Sequence, residues 1–443
     1  MKSKAKDDGQ QQFLISGLRM MLDPKQPLKR LAEIIPWKQF EEAYGDKYSP
    51  NGRPAKPIRL MVGLLILKQL ENLSDERVVE AWTQNPYYQF FCGEETFQWK
   101  FPIAPSDLTH FRNRLGKRGV EKILEISASI HGERAQEEEV IVDTTVQEKN
   151  ITYPTDCKNY IKIIGRCNKI AKEENIPQRR SYLRTVPRLR FALRQRHHPT
   201  RAKLAARAER RLRTIAGRLI RELERKLDTK RLEHYKDTFS LFTRVLKQKR
   251  SDKNKIYSLH EPQVCCYSKG KEHKKYEFGA KASIVITKTS GIIVGAESFS
   301  NTIFDGHTLY SALEQLHRIR GIDAKICIAD QAYRGTKKLA NTQVITPASS
   351  KATLSSYKLR KRRLRLKRRC AIEPVISHLK YDFRLIRCFL KGAVGDAINL
   401  LMAAAAFNFR KWIRWILYWL NFFALHFPIS PPTIQLIVNK RTF

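Results

Sequence analysis

Three acidic residues have the type and setting to build a cation site. Asp143 sits inside residues 139–146 (EVIVDTTV), a short β-branched run that reads as a strand. Asp330 directly follows residues 325–329 (KICIA), a second strand-like run. Glu373 enters the helical pattern of residues 375–380. Two strand-borne aspartates and one helix-borne glutamate converge on a point if their strands are neighbours. Three carboxylates placed there cannot all stay ionised without cations. Hard oxygen donors without a Cys or His cluster suit Mg²⁺, with Mn²⁺ as a substitute, rather than zinc. Two such ions per site can activate an attacking oxygen and stabilise a leaving oxygen at phosphorus. Taken singly, each acid also reads as a turn cap, and Asp156, Glu297, Asp305, Asp323 and Asp396 compete with them.

Cationic side chains accompany these acids. The run Asp330-Gln331-Ala332-Tyr333-Arg334-Gly335 sets an aromatic and an arginine just past a strand end, where Arg334 can meet a bound phosphate. Lys380 lies seven residues after Glu373, on the same helix face at about 100° per residue. Arg369 precedes Glu373 by four residues. Pro374 favours a first helical turn, which leaves Arg369 in the preceding segment. The plain alternative is that Glu373 and Lys380 are solvated residues of a surface helix.

The chain around them has 443 residues and a formal net charge of +41, from 84 Lys and Arg against 43 Asp and Glu. With 42% apolar residues it can bury a core. A charge of that size repels itself unless a polyanion neutralises it, and nucleic acid is the common polyanion. An enzyme acting only on small molecules is disfavoured on that ground. The charge is uneven: residues 1–142 hold 21 basic and 20 acidic side chains, the remainder 63 and 23. The eight cysteines form no C-x-x-C pair, so a zinc ribbon or redox motif has no support, and they read as reduced thiols. Residues 1–12 are polar and lack the apolar stretch of a signal peptide. The uncharged stretch 415–438 is broken by Pro428, Pro431 and Pro432 and reads as a packed aromatic helix, not a membrane span.

Helices dominate the start. Residues 57–70 form an apolar run fit for a buried helix, Ser74 caps a second, and Pro105-Ser106-Asp107 opens a third. Short helices with tight connections suit a DNA-binding domain or a plain scaffold equally. Residues 179–226 contain 17 Lys and Arg against three acids and read mostly as helix, suited to tracking phosphates. Strands resume at 277–287 and 291–297, joined by a hairpin through Lys288-Thr289-Ser290. A helix at 309–319 follows, then the strand before Asp330 and a last one at 344–346. Residues 358–369 hold nine basic side chains and no acid. Asp143 and Asp330 are 187 residues apart, Asp330 and Glu373 only 43. A large insertion therefore fits only in the first gap, at about 150–255.

The spacing Arg369–x₃–Glu373–x₆–Lys380 resembles the terminal signature of bacterial DDE transposases of the insertion-sequence family five group. Asp143 in VDTT and Asp330 in DQAYRG are similar to that group's two aspartates. GRPAKPIRLMVGLLILK at 52–68, LSDERVVEAW at 73–82, NPYYQFFCGEE at 85–95, KYEFGAK at 275–281 and FDGHTL at 304–309 add to the likeness, which runs from about residue 15 to 415. Leu366 stands where the signature has a tyrosine.

The resemblance implies an α/β fold. Its centre is a ribonuclease-H-like mixed sheet with flanking helices, over residues 131–410. An all-α, DNA-binding domain at 1–130 precedes it, the basic helical insertion lies within it, and an aromatic helix and tail follow at 411–443. The resemblance also implies Mg²⁺-dependent cutting at the ends of a mobile element and joining of the 3′-OH to target DNA. Asp143, Asp330 and Glu373 would be the metal ligands. Arg369 and Lys380 would meet DNA near the cleaved phosphate; the local run after Asp330 adds Arg334, and Tyr333 nearby, as further DNA contacts. The partners implied are double-stranded DNA, as terminal inverted repeats and target, and a second copy in a homodimer that brings two ends together. Residues 412–427 are the candidate interface, no membrane is involved, and the setting is the bacterial cytoplasm and nucleoid. Three other readings stay open: a catalytically silent DNA-binding relative, a Mg²⁺ nuclease that cuts without joining, and a structural basic protein.

Overall fold

The computed structural model describes residues 17–48, 54–249, 251–268, 275–347 and 355–426. Among the described residues the first elements are seven helices: α1 (Leu18–Met21), α2 (Pro27–Ile34), α3 (Trp37–Gly45), α4 (Ile58–Leu70), α5 (Asp75–Gln84), α6 (Pro86–Phe91) and α7 (Pro105–Ser129). Ser74 caps α5, accepting the Arg77 N–H at 3.2 Å. The apolar run becomes α4, which is buried on nearly every side.

Strand β1 (Glu139–Lys149) follows, and the chain then leaves the sheet for the insertion. This consists of α8 (Asp156–Glu173), α9 (Thr185–Leu193), α10 (Ala202–Lys226) and α11 (Thr229–Lys247). The insertion has its own core, in which Ile163 and Cys167 of α8 meet Ile215 and Leu219 of α10 and Phe239 and Phe242 of α11. Its two ends are tied together: Asp156 holds Lys255 and Gln248 at 2.8 and 2.9 Å.

The chain returns as β2 (Cys265–Ser268), β3 (Tyr276–Thr287) and β4 (Ile293–Phe299). Next come α12 (Asp305–Arg320), β5 (Ile326–Ile328), β6 (Lys338–Leu339), β7 (Thr342–Ile345), α13 (Ser356–Arg368), α14 (Ile372–Tyr381), β8 (Arg387–Cys388) and α15 (Gly392–His426). The sheet is mixed, with strand order β2-β3-β1-β5-β7-β6; β4 pairs with β3 and β8 with β1. β1 runs antiparallel to β3 and parallel to β5, and β5 runs parallel to β7. Gly279 lets β3 close on β1, because a side chain there would run into the Gln147 carbonyl.

One apolar core joins the N-terminal helices, the sheet and α15. The division expected at residue 410 falls inside α15, whose residues 397–409 are buried against α7, α4 and β4. The Ala403–Ala406 run lets the neighbours approach closely, so the helix begins well before the aromatic stretch. Asn408, fully buried at mid-helix, fixes its register. Its amide donates to Ile293 O at 2.8 Å and to Ser127 Oγ at 3.1 Å, and its Oδ1 accepts the Ile293 N–H at 2.9 Å. The His131 ring meets the Asn408 carbonyl at 3.1 Å, and burial lowers its pKa to about 4. α15 is the one described helix long and apolar enough to cross a membrane, yet 83% of its apolar window is buried within the fold. Pro428, Pro431 and Pro432 lie outside the described residues.

A second buried polar knot sits where β1 ends. Lys149 pairs with Asp396 at 2.7 Å and Glu261 at 3.4 Å, all three almost without solvent contact. It joins the last residue of β1 to the insertion's return and to the start of α15.

Candidate active site

The pairing of β1 with β5 places the two aspartates. Ile141 pairs with Ile328 in a parallel register, and Asp143 and Asp330 each lie two residues further on. Asp143 lies within β1 and Asp330 just past the end of β5, near enough that the Asp330 charge acts on Asp143. Asp143 accepts the Thr144 N–H at 2.7 Å. Its pKa is raised, first by burial and then by the nearby charges of Asp330 and Asp305, with Arg369 opposing. Asp330 is more open and faces the Arg369 guanidinium at 3.7 Å.

A support the sequence reading left without a role lies beside Asp143. Asp305, at the start of α12, accepts the Thr144 hydroxyl at 2.9 Å and the Lys281 ammonium at 2.6 Å. Lys281 also donates to Ile303 O at 2.6 Å and lies 5.3 Å from the centre of the Tyr267 ring. Thr144, which donates its backbone N–H to Asp143, is thus anchored by Lys281 and Asp305 from β3 and α12. The signal was present: KYEFGAK ends with Lys281 and FDGHTL has Asp305 as its second residue, but nothing in a linear sequence says that they meet.

The other expected site residues are placed unequally. Tyr333 is 1% exposed; its ring lies in the core and its hydroxyl is 3.5 Å from that of Thr308. Burial pushes its phenol pKa up. This corrects the expectation of a DNA contact, because the turn Gln331–Tyr333 folds the ring inward against α12. Arg334 is exposed. Arg369 belongs to the 3₁₀ turn Arg369–Ala371 between α13 and α14, so it reaches Asp330 from outside the helix that carries Glu373. Leu366 is packed against the core.

Glu373 opens α14, which buries Ile372, Val375 and Leu379 and packs on β1. Its side chain is exposed and has no hydrogen bond or ion pair among the described residues. Those residues contain no group of three His, Cys, Asp or Glu spaced to share an ion, so the structure joins Asp143 to Asp330 but not to Glu373. Lys380, at the other end of α14, lies 4.0 Å from Glu277. The basic run forms α13, which has no fully buried residue. It is held by Arg365 on Glu139 at 2.6 Å and by Arg368 on the Lys288 and Thr289 carbonyls at 3.0 and 3.1 Å.

Residues 17–114 match the family model described as Transposase domain (DUF772), and residues 244–409 match the Transposase DDE domain. The chain belongs to the DDE transposases. The second match contains Asp330, Arg369, Glu373 and Lys380. It begins in α11, so β1 and Asp143 lie ahead of it, separated by the insertion. The transposase is also 43% identical over 203 residues to a Rhizobium meliloti protein named "Uncharacterized protein ORF8 in nfe locus". That alignment covers 45% of this chain and 98% of the relative. No solved structure matches the transposase.

Proposed function

We propose that this transposase cuts DNA at the ends of an insertion sequence of the family five group and joins the freed 3′-OH to target DNA. The observation that carries the reading is the pair Asp143, in β1, and Asp330, two residues past the end of the parallel neighbour β5, with the charge of one felt at the other. The strand order, with an antiparallel hairpin on one side of β1 and two parallel strands on the other, supports a ribonuclease-H-like sheet.

The donor set fits a divalent cation. Asp143 is half-buried beside two other carboxylates, and desolvation first and those charges next raise its pKa. A group in that setting holds a proton or a cation more readily than an exposed one. Asp143 and Asp330 would hold Mg²⁺, or Mn²⁺ in its place, with Glu373 as the third ligand, unengaged on α14. Two such ions would neutralise charge at the phosphate and polarise the attacking and leaving oxygens. The chain's own side chains do the rest. Lys281 and Asp305 hold Thr144, which orients Asp143. Arg369 offsets the carboxylate charge and lies ready for a phosphate oxygen, with Arg334 and Lys380 as further phosphate contacts.

Two ends must be handled in concert, which supports a homodimer on DNA. Trp412 is buried, so the exposed Trp415, Leu417 and Tyr418 are the part of α15 available for an interface.

The test is cleavage and joining on labelled DNA carrying the element ends, with Mg²⁺ or chelator, by intact protein and Asp330→Ala. Metal-dependent nicks and joined products, both lost in the variant, bear out the reading. End binding without nicking indicates the silent relative, and nicking without joining the nuclease.

A further inference from the structure

The insertion carries a charged cleft that the catalytic reading leaves without an occupant. α10 sets Leu212, Ile215, Leu219 and Leu223 into the insertion's own core. Its outer face turns Arg218, Arg221 and Arg225 to solvent. The segment ahead of α9 brings Arg179 and Arg180 to the same lining, and the open cleft holds about 800 Å³.

The charge in this cleft is not matched from within. Of its two acids, Glu222 is already taken, by Lys226 at 2.8 Å and by the Arg179 N–H at 2.8 Å. Arg180, Arg218 and Arg221 meet no carboxylate among the described residues. Guanidinium groups gathered in a concavity repel one another until an anion enters. Their spacing suits a row of anions. Residues 218 and 225 are seven apart, roughly 10 Å along the helix at 1.5 Å per residue. That is about three phosphates of one DNA strand at 3.4 Å each. Tyr182 also lines the cleft, partly buried against the insertion's core, and is the one aromatic residue among six cationic ones there. The dominant chemistry is that of guanidinium groups, which suits phosphates.

We infer that the Arg218–Arg221–Arg225 face of α10, with Arg179 and Arg180, binds the phosphate backbone of duplex DNA as a second contact outside the Asp143–Asp330 site. The inference rests on the reading that the protein acts on DNA. The contact is blind to sequence, so it adds affinity and salt dependence rather than choice of site.

The experiment measures affinity of the full chain for a duplex over a series of salt concentrations, in chelator so that nothing is cut. The variant carries Arg218→Gln, Arg221→Gln and Arg225→Gln together; a matched variant carries lysines at the same positions. Each lost phosphate contact lowers the salt slope by about 0.9. The glutamine variant is expected to lose two to three such units and the lysine variant to keep its slope. Circular dichroism and melting temperature check that both are folded. A folded glutamine variant with the parent slope overturns the inference while the transposase reading stands. A change seen only with single strands or RNA also overturns it. No duplex binding by the parent chain overturns both readings.

Discussion

The Arg369 guanidinium lies 3.7 Å from the Asp330 carboxylate and opposes the rise in pKa that burial and neighbouring carboxylates impose on Asp143. It stands beside the carboxylate pair that a divalent cation would occupy. Replacing it with alanine removes the counter-charge and a phosphate contact. Single-turnover cleavage is expected to fall about 10²–10³-fold, the usual cost of losing a preorganised electrostatic group. The Mg²⁺ midpoint separates its roles: a shift to lower concentration marks Arg369 as the cation's competitor. An unchanged midpoint with weaker end binding marks it as a phosphate ligand only.

Lys281 is expected to matter without touching substrate. Lys281→Met leaves Asp305 unpaired and loosens Thr144. Cleavage at saturating DNA should drop roughly 10–100-fold, as when a group supporting a metal ligand is lost. Duplex affinity should be unchanged, and Lys281→Arg should recover part of the rate. Full activity in Lys281→Met would remove the supporting role.

Proton and cation should compete at Asp143. Its pKa is raised by burial and by Asp330 and Asp305. The Mg²⁺ concentration needed for half-maximal cleavage is therefore expected to rise as pH falls, beginning at a higher pH than for an ordinary aspartate ligand. Asp305→Asn removes one of the charges responsible and should move that rise to lower pH. A midpoint indifferent to pH would count against Asp143 as a ligand.

His131 gives stability its own pH dependence. With a pKa of about 4 in the folded state and an ordinary value near 6.5 when unfolded, the unfolded chain takes up the proton first. Stability from this residue is complete above pH 6.5 and is lost as pH falls towards 4. The total is about 3 kcal/mol at 1.36 kcal/mol per unit. Urea unfolding at neutral and mildly acid pH should show the loss, and His131→Gln should flatten the slope over that range.

Lys149 tests the buried knot at the end of β1. Lys149→Met leaves Asp396 and Glu261 as buried carboxylates without a cation. The expected cost is about 3–5 kcal/mol, read from chemical denaturation. Adding Asp396→Asn should recover part of it.

Much of this arrangement was legible in the chain. β-Branched runs gave β1 and β5, Ser74 announced its helix, and the unequal gaps around Asp330 placed the insertion. Periodicity reports which face of an element is apolar, but not which element covers it. That is why Tyr333, in a polar turn, read as exposed although α12 closes over it. The aromatic stretch after Trp412 hid that α15 starts at Gly392, because the buried Ala403–Ala406 run carries little hydropathy of its own. Lys281 and Asp305, on β3 and α12, become partners only when the sheet forms. Glu373 was placed on its helix by sequence, but where a helix points its first turn is decided by packing.

The insertion's separate core also bears on how the sheet comes together. Residues 150–275 stand between β1 and β3, which must pair before Asp143 has its surroundings. Closing so long a loop is entropically expensive, by an amount that grows with the logarithm of its length. Once the insertion has folded and Asp156 holds Lys255, the free chain shrinks to the short arms on either side. Closure then becomes easier by roughly 1.5 kcal/mol. A helix that touches neither acid thus sets the pace at which the two strands find each other. Damage to the α10 core should appear first as slow refolding of the sheet, before any change in the chemistry of the finished site.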